Sequence, residues 1–401
     1  MKKLVAFSLA IIIFTSNIHI VYANDEVNEI IPVYKIQNEI NTAKQISPTE
    51  KELPVKSAIL IEQSTGNVLF EQNADEILPP ASVTKIMSLL LIIEAIDSGK
   101  ISLSDKVSCS ENAASYGGSQ IWLKPNETMT VDELLKATAV SSANDATVCL
   151  AEYVSGSEEA FIKEMNKRAS ELGMKNTTFK CVEGLDTEGH LTTARDIALM
   201  SRELMKHSLI KKYTTIWMDS LRNGETQLVN TNRLIRFYDG ATGLKTGTTS
   251  KAGSCLSATA ERDGLSLIAV IMGAPTSDLR FGTARGLLDW GFANYTSITV
   301  TPPNFDTIPV KGGTKEFCSI EAILPNGIVV KKDEAEMISQ LYELPEVLEA
   351  PILKGDEISK LKILINNNEY TECPIIASES VAKITFRFAL QTLFGELFKL
   401  S

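Results

Sequence analysis

Pro79-Pro80-Ala81-Ser82-Val83-Thr84-Lys85 is the stretch from which the rest of the chain is read. Two prolines end whatever precedes them, because proline lacks an N–H and restricts the residue before it. An apolar run follows: Ile86, Met87, Leu89, Leu90, Leu91, Ile92, Ile93, Ala95 and Ile96. It is too long for a strand and predicts a mostly buried helix starting near Ser82. Ser82 and Lys85, three apart, then share one face of the first turn. A serine is a poor nucleophile until a base takes its proton, and a lysine can do so once desolvation lowers its pKa. The start of a buried helix offers that setting, with free N–H groups to hold an oxyanion. Ser-x-x-Lys also arises by chance, and serine at a helix start is commonly only an N-cap. The remaining sequence must decide.

Upstream, Lys56 to Glu62 reads as a short strand, Ser64-Thr65-Gly66-Asn67 as a turn and Val68 to Glu71 as the returning strand. Downstream, helices dominate. Thr130 is placed to cap a helix beginning at Asp132, which runs into Val140-Ser141-Ser142-Ala143-Asn144-Asp145-Ala146. A further helix carries Val148, Leu150, Ala151 and Val154, and residues 157–172 form an amphipathic one with Phe161, Met165 and Leu172 inward. Thr192-Thr193 opens the next. Then the pattern changes to strands: Gly240 to Thr249, Ser254 to Ala260 and Leu265 to Met272, the last almost wholly apolar and therefore central. Arg262-Asp263-Gly264 signals the tight turn between the second and third. A helix at 278–295 follows.

This order predicts a mixed α/β (α+β) unit. Its antiparallel sheet comes from both ends of the segment, with helices packed on it and a helical subdomain between. Pro302-Pro303 marks a boundary. Beyond it, short strands at 307–310, 319–324, 327–331, 360–365 and 370–376 predict a small all-β domain. The expected division is a signal peptide at 1–23, a polar, acidic linker at 24–52, a catalytic domain at 53–300, the β domain at 301–378 and an amphipathic C-terminal helix at 379–401.

The leader reading rests on Lys2 and Lys3 before an apolar run from Leu4 to Phe14, then Val21-Tyr22-Ala23 at a cleavage position. Cleavage after Ala23 and export are expected; a retained anchor is the other reading of a run this short. The tail places Val381, Ile384, Phe388, Leu390, Leu393, Phe394, Leu397 and Phe398 at helical spacing, with Lys383, Arg387 and Gln391 on another face that Phe386 interrupts. It is too polar to span a bilayer and fits a helix lying in the interface, the alternative being a helix docked on the protein itself.

The 401 residues are 44% apolar and 22% charged, which argues against bulk disorder, and the net charge of −11 excludes a basic nucleic-acid footprint. The six cysteines (109, 149, 181, 255, 318 and 373) include no C-x-x-C, so neither a zinc site nor a redox pair is supported; Cys149 and Cys255 read as core thiols and pairing stays open. With three histidines, one in the leader, and no H-E-x-x-H, no metal or other cofactor is expected. A Ser-His-Asp hydrolase finds no G-x-S-x-G elbow, and His190 reads as a loop-packing residue.

Two further elements resolve the ambiguity of Ser82-x-x-Lys85. Ser142-Ala143-Asn144 lies between helices, and Lys245-Thr246-Gly247 lies on a strand. Ser-x-x-Lys, a Ser-x-Asn element and Lys-Thr-Gly, in this order, are the signature set of serine β-lactamases and penicillin-binding proteins. The chain resembles the low-molecular-mass penicillin-binding proteins that act as D-alanyl-D-alanine carboxypeptidases, over nearly everything after the linker. Pro80 to Met87, Gly118 to Leu123, Ser142 to Ala146, Asp239 to Gly247, Ala252 to Cys255, and Arg280 before Leu287 to Phe292 carry the resemblance. Cys181 and Glu183 depart from it, standing where the family commonly has Asn and His, as does Thr248 where His is frequent.

The resemblance implies a DD-peptidase-like catalytic domain, with the β domain and tail on the outer face of the cytoplasmic membrane. It implies that Ser82 attacks the carbonyl between two terminal D-alanines of a peptidoglycan stem peptide. Lys85 takes the serine proton, kept neutral by burial and by Lys245. Ser142 relays a proton to the leaving amine, and Asn144 orients Lys85 and the substrate amide. The N–H groups of Ser82 and Thr248 hold the oxyanion. Lys245, Thr246 and Arg280 receive the terminal carboxylate beside Gly247. β-Lactams would acylate Ser82 and leave slowly. A serine β-lactamase shares the three motifs, but Glu183-Gly184-Leu185-Asp186 lacks its glutamate-to-asparagine spacing. A peptidoglycan endopeptidase and an inactive wall-binding scaffold are the other readings. Oligomeric state is not legible.

Overall fold

A computed structural model of the protein describes residues 52–325 and 327–391. The leader, nearly all of the linker and the end of the tail lie outside the described residues. The first unit runs to Glu261 and takes in Leu267–Asp289; the second consists of Arg262–Ser266 and the chain from Trp290 onward.

In the first unit, β1 (Ser57–Glu62) and β2 (Val68–Gln72) form the expected hairpin. The helices α1 (Lys85–Asp97), α2 (Val131–Val140), α3 (Asn144–Ser155), α4 (Glu158–Glu171) and α5 (Ala194–Met205) follow. The chain then returns as β3 (Ala241–Thr249), β4 (Gly253–Arg262) and β5 (Leu265–Ala274) before α6 (Ser277–Asn294). The sheet order is β2-β1-β5-β4-β3, and each described pairing is antiparallel. The N-terminal hairpin thus pairs with the last strand, and β3 is left at one edge.

The apolar run of β5 has a simple cause. Successive strand residues face opposite sides of a sheet. Ile268, Val270 and Met272 join the large core that the helices share. Leu267, Ala269 and Ile271 point the other way and are equally buried. A sheet covered on both faces needs apolar residues at every position. α1 is apolar nearly all round for the same reason: it packs against α2, α3, α4 and α5. Thr130 caps α2 through a capping box, its hydroxyl accepting from the Glu133 N–H while the Glu133 carboxylate accepts from the Thr130 N–H.

The second unit holds a four-stranded sheet in the order Ile320–Ala322, Asn368–Ala377, Glu357–Ile365, Ile338–Tyr342. A three-stranded sheet sets Ile308–Lys311 between Phe317–Cys318 and Leu348–Glu349. Tyr295–Ile298 pairs with Ile328–Lys331. That pairing draws the chain ahead of Pro302-Pro303 into this unit, so the boundary falls at Trp290 and not at the prolines. The strands Ile338–Tyr342 and Leu348–Glu349 escape the sequence reading because they lie at sheet edges with exposed residues in place of an apolar run.

The tail helix also starts later than its periodicity predicts. Val381 is fully buried beside Cys318, Ile352 and Ala377, and it bridges to Ile352. Lys383 bridges to Gly313. Helix begins only at residue 386 and continues to the last described residue, 391. Ile384 just before that stretch and Phe386, Phe388 and Leu390 within it are exposed, Phe386 to 84%. Among the described residues no helix is long and apolar enough to cross a membrane.

Candidate active site

Ser82 lies on a 3-10 turn, Ala81–Thr84, and the α-helix proper begins at Lys85. Sequence reading places the α-helix start about three residues too early. The tighter turn favours the pair, because with three residues per turn positions i and i+3 eclipse. Lys85 Nζ lies 3.1 Å from Ser82 Oγ. It also donates to Asn144 Oδ1 at 2.6 Å and to the Glu183 carbonyl at 2.8 Å. Lys85 is fully buried and Ser82 is 9% exposed, so the reactive hydroxyl stands at the rim of a dry site.

Asn144 is the first residue of α3, and its amide is fixed from both ends. Nδ2 donates to the Gly117 carbonyl at 2.7 Å, which aims Oδ1 at the lysine. The 117–123 loop is in turn held by Asp145, which accepts from the Ile121 and Leu123 N–H groups. Ser142 is 3% exposed and sits at a left-handed φ of 63°. Its Oγ has no hydrogen-bond partner among the described residues. A strained residue with an unpaired buried hydroxyl costs stability and is found where a reacting partner supplies the missing contact.

β3 brings the third motif. Lys245 and Gly247 share a strand face. Lys245 is buried, with Nζ donating to the Thr246 carbonyl at 2.9 Å, and Thr246 Oγ1 donates to Thr231 Oγ1 at 2.7 Å. Gly247 is where the strand meets the Ser82 turn. A Cβ there would lie 2.7 Å from the Ser82 nitrogen and 2.8 Å from the Val83 nitrogen, so only glycine permits this approach. Thr248 is half-buried at the end of the motif. Arg280 is 6% exposed and donates to the Gly247 carbonyl, Thr248 Oγ1, the Cys255 carbonyl and Ser277 Oγ. Its guanidinium braces the end of β3, so it reaches the site through Thr248.

The 179–190 loop forms the remaining wall. Gly184 at φ 93° packs on the Ser82 turn so closely that a Cβ would lie 2.0 Å from the Ala81 carbonyl oxygen. His190 holds the loop to the turn. Its Nδ1 accepts from the Lys180 N–H, so Nε2 carries the proton and donates to Thr84 Oγ1, which donates to the Ala81 carbonyl. Burial pushes the imidazole down to about 4. Asp186 latches the far end of the loop to Thr249 and Ser250. Cys181 is buried with its thiol pushed up to about 12, first by burial and then by the Glu183 charge, so it is no nucleophile. All six cysteines are free and buried. Glu183 is 2% exposed, its carboxyl raised by burial and drawn back down by Lys85.

The structure therefore brings Ser82, Lys85 and Asn144 into direct contact and lays Gly247 against the same turn. Sequence reasoning missed the carbonyls of Gly117 and Glu183, since main-chain acceptors leave no residue-type signal. It also missed Thr231. Among the described residues no His, Cys, Asp and Glu cluster could hold a metal ion.

Comparison with known proteins agrees with this geometry. The sequence model of the D-alanyl-D-alanine carboxypeptidase family matches residues 43–276, and that of the C-terminal domain of penicillin-binding protein 5 matches residues 297–383. The chain is 46% identical over 321 residues to the D-alanyl-D-alanine carboxypeptidase DacF of Bacillus subtilis, covering 78% of this chain and 82% of that one. Penicillin-binding protein 5 from Haemophilus influenzae superposes with a TM-score of 0.75 at 29% identity, over 84% of this chain and 99% of that one. The ampicillin-bound penicillin-binding protein D2 of Listeria monocytogenes superposes with a TM-score of 0.55 at 33% identity, over 60% of this chain and 98% of that one.

Proposed function

The chain belongs to the D-alanyl-D-alanine carboxypeptidase family, and from that premise we propose which of its residues do the chemistry. It is a serine-type carboxypeptidase that releases the terminal D-alanine of peptidoglycan stem peptides and binds β-lactams. The observation that carries the assignment is Lys85 Nζ, buried and within hydrogen-bonding distance of both Ser82 Oγ and Asn144 Oδ1.

Ser82 Oγ attacks the carbonyl between the two D-alanines as Lys85 takes its proton. Ser142, whose hydroxyl is unpaired at rest, passes a proton to the departing amine. The C–N bond breaks, D-alanine leaves, and water hydrolyses the acyl-enzyme. The N–H groups of Ser82 and Thr248 take the oxyanion. β3 is an edge strand, which supports a substrate lying along it in extended form. Lys245, Thr246 and Gly247 receive the terminal carboxylate, and Arg280 contributes by holding Thr248.

The test is D-alanine release from a synthetic peptide ending in D-Ala-D-Ala, with Ser82→Ala as the control. Release that disappears in the variant is expected; a variant as active as the parent sinks the assignment.

The site of action is extracytoplasmic, following cleavage of the leader after Ala23. The tail holds the enzyme on the outer face of the cytoplasmic membrane. Exposed Ile384, Phe386, Phe388 and Leu390 support this, because large apolar side chains left uncovered by their own unit suit the interfacial region of a bilayer. A chain ending at residue 385 should leave the membrane fraction. Retention there would refute the anchor.

A further inference from the structure

Glu183 stands in the 179–190 loop with no role in the reaction described above. Its main-chain oxygen accepts from Lys85 Nζ at 2.8 Å, so the residue lies against the lysine. Its side chain is buried to the same degree as the catalytic residues, at 2% exposure. Oε2 has no hydrogen-bond partner among the described residues. A carboxyl that served only to brace the loop would have both oxygens satisfied, as Asp186 does where it latches the same loop to Thr249 and Ser250.

The groups that act on this carboxyl come from four directions. Lys85 approaches from α1, and Glu158 from the start of α4. Tyr116 comes from the loop before the 117–123 segment and is tied to Glu158 through its hydroxyl at 2.7 Å. The Cys181 thiol lies in Glu183's own loop. Of these only Lys85 is a cation. Burial first, and then the Glu158 charge, raise the carboxyl above its ordinary value, and the Lys85 charge draws it back down.

We propose that Glu183 is a positioning residue for the reaction, the buried counter-charge that stabilises the Lys85 ammonium formed as Ser82 gives up its proton. The step balances simply. The Ser82 O–H bond breaks, its proton joins the neutral Lys85 amine, and the serine oxygen bonds the substrate carbonyl carbon. Glu183 neither gains nor loses an atom in that step. Its carboxylate, ionised before the step and after it, offsets the ammonium charge until the proton leaves for the amine of the departing D-alanine. The inference rests on the Ser82–Lys85 reading proposed above.

The experiment is the rate of Ser82 acylation by a fluorescent penicillin across a pH series, for the parent, Glu183→Gln and Glu183→Asp. Loss of the carboxylate makes Lys85 hold its proton less tightly. The acid limb of the Glu183→Gln profile should move to lower pH by about one unit or more, and its plateau should fall by up to about tenfold. Glu183→Asp should restore part of both. A folded Glu183→Gln protein with the parent's acid limb overturns the proposal, whether its rate is unchanged or uniformly reduced. Should Glu183→Gln not fold, Glu183→Asp decides alone: a limb shifted below the parent's supports the proposal and an unmoved one refutes it. A parent that no penicillin acylates at Ser82 would instead remove the reading beneath it.

Discussion

Acid should unfold this enzyme through His190, and the size of the effect follows from its contacts. The imidazole is 3% exposed, accepts from the Lys180 N–H and donates to Thr84 Oγ1, so it is held neutral. Its folded-state value is about 4, against 6.5 for the unconstrained group. Between those values the unfolded chain binds a proton that the folded chain refuses, so stability rises with pH across the window. The contribution is fully present above the unfolded value and lost as pH falls toward the folded one. Over a fall from pH 7 to pH 4 that loss is about 3 kcal/mol, at roughly 1.4 kcal/mol per unit.

Other buried groups work the opposite way. The carboxyls of Asp145, Asp196 and Glu183 are all raised by burial, so acid favours the folded state at those sites. The clean measurement is therefore a difference. Glu, Asp and every other titration are shared by the parent and His190→Gln, whose amide can donate and accept but does not titrate. Urea unfolding at both pH values should show the parent losing about 3 kcal/mol relative to the variant. A difference constant with pH to within about 0.5 kcal/mol would show that His190 is not held neutral, and the hydrogen-bond chain through Thr84 would have to be reassigned.

Two substitutions test the site's close fit. Gly247→Ala puts a Cβ 2.7 Å from the Ser82 nitrogen, so strand or turn must move; penicillin acylation should drop by at least about 100-fold in a folded protein, and a near-parent rate would show that the contact is not limiting. Ser142→Gly relieves a φ of 63° and removes an unpaired buried hydroxyl. It should raise thermal stability by about 1 kcal/mol while lowering D-alanine release by at least about 100-fold. Lost stability in that variant would mean the hydroxyl is bonded in the resting protein.

The legible part of this molecule is the part where local and global preferences agree. The β1–β2 hairpin, the caps at Thr130 and Thr193, and the Asp-Gly turn with φ of 49° and 77° at Asp263 and Gly264 all stand where their residue types place them. Reading failed where a tertiary contact overrides the pattern. Val381 fits a helical repeat yet is taken by a β bridge to Ile352, because burying it beside Cys318 and Ala377 outweighs one more turn of exposed helix. Nor could the sequence show how Arg280 is held: its guanidinium donates to the Gly247 and Cys255 carbonyls and to Thr248 Oγ1, and main-chain acceptors leave no residue-type signal.

The same contrast explains where the site's chemistry resides. Around Ser82 the chain departs from ordinary practice repeatedly: two buried lysines, a left-handed Ser142 with an idle hydroxyl, a buried Glu183 oxygen without a partner, and backbone contacts only glycine permits. None of these stabilises the fold, and each would be lost to drift toward better packing. They persist together only if one demand unites them. That demand is a dry pocket in which a proton moves from Ser82 to Lys85 and on to a leaving group with its solvation supplied in advance by fixed dipoles and charges. Asn144 and the Glu183 carbonyl already solvate the lysine at rest. Further stabilisation of the ammonium then falls to a fixed charge, and the buried Glu183, whose own carbonyl touches the lysine, is the residue proposed above to supply it.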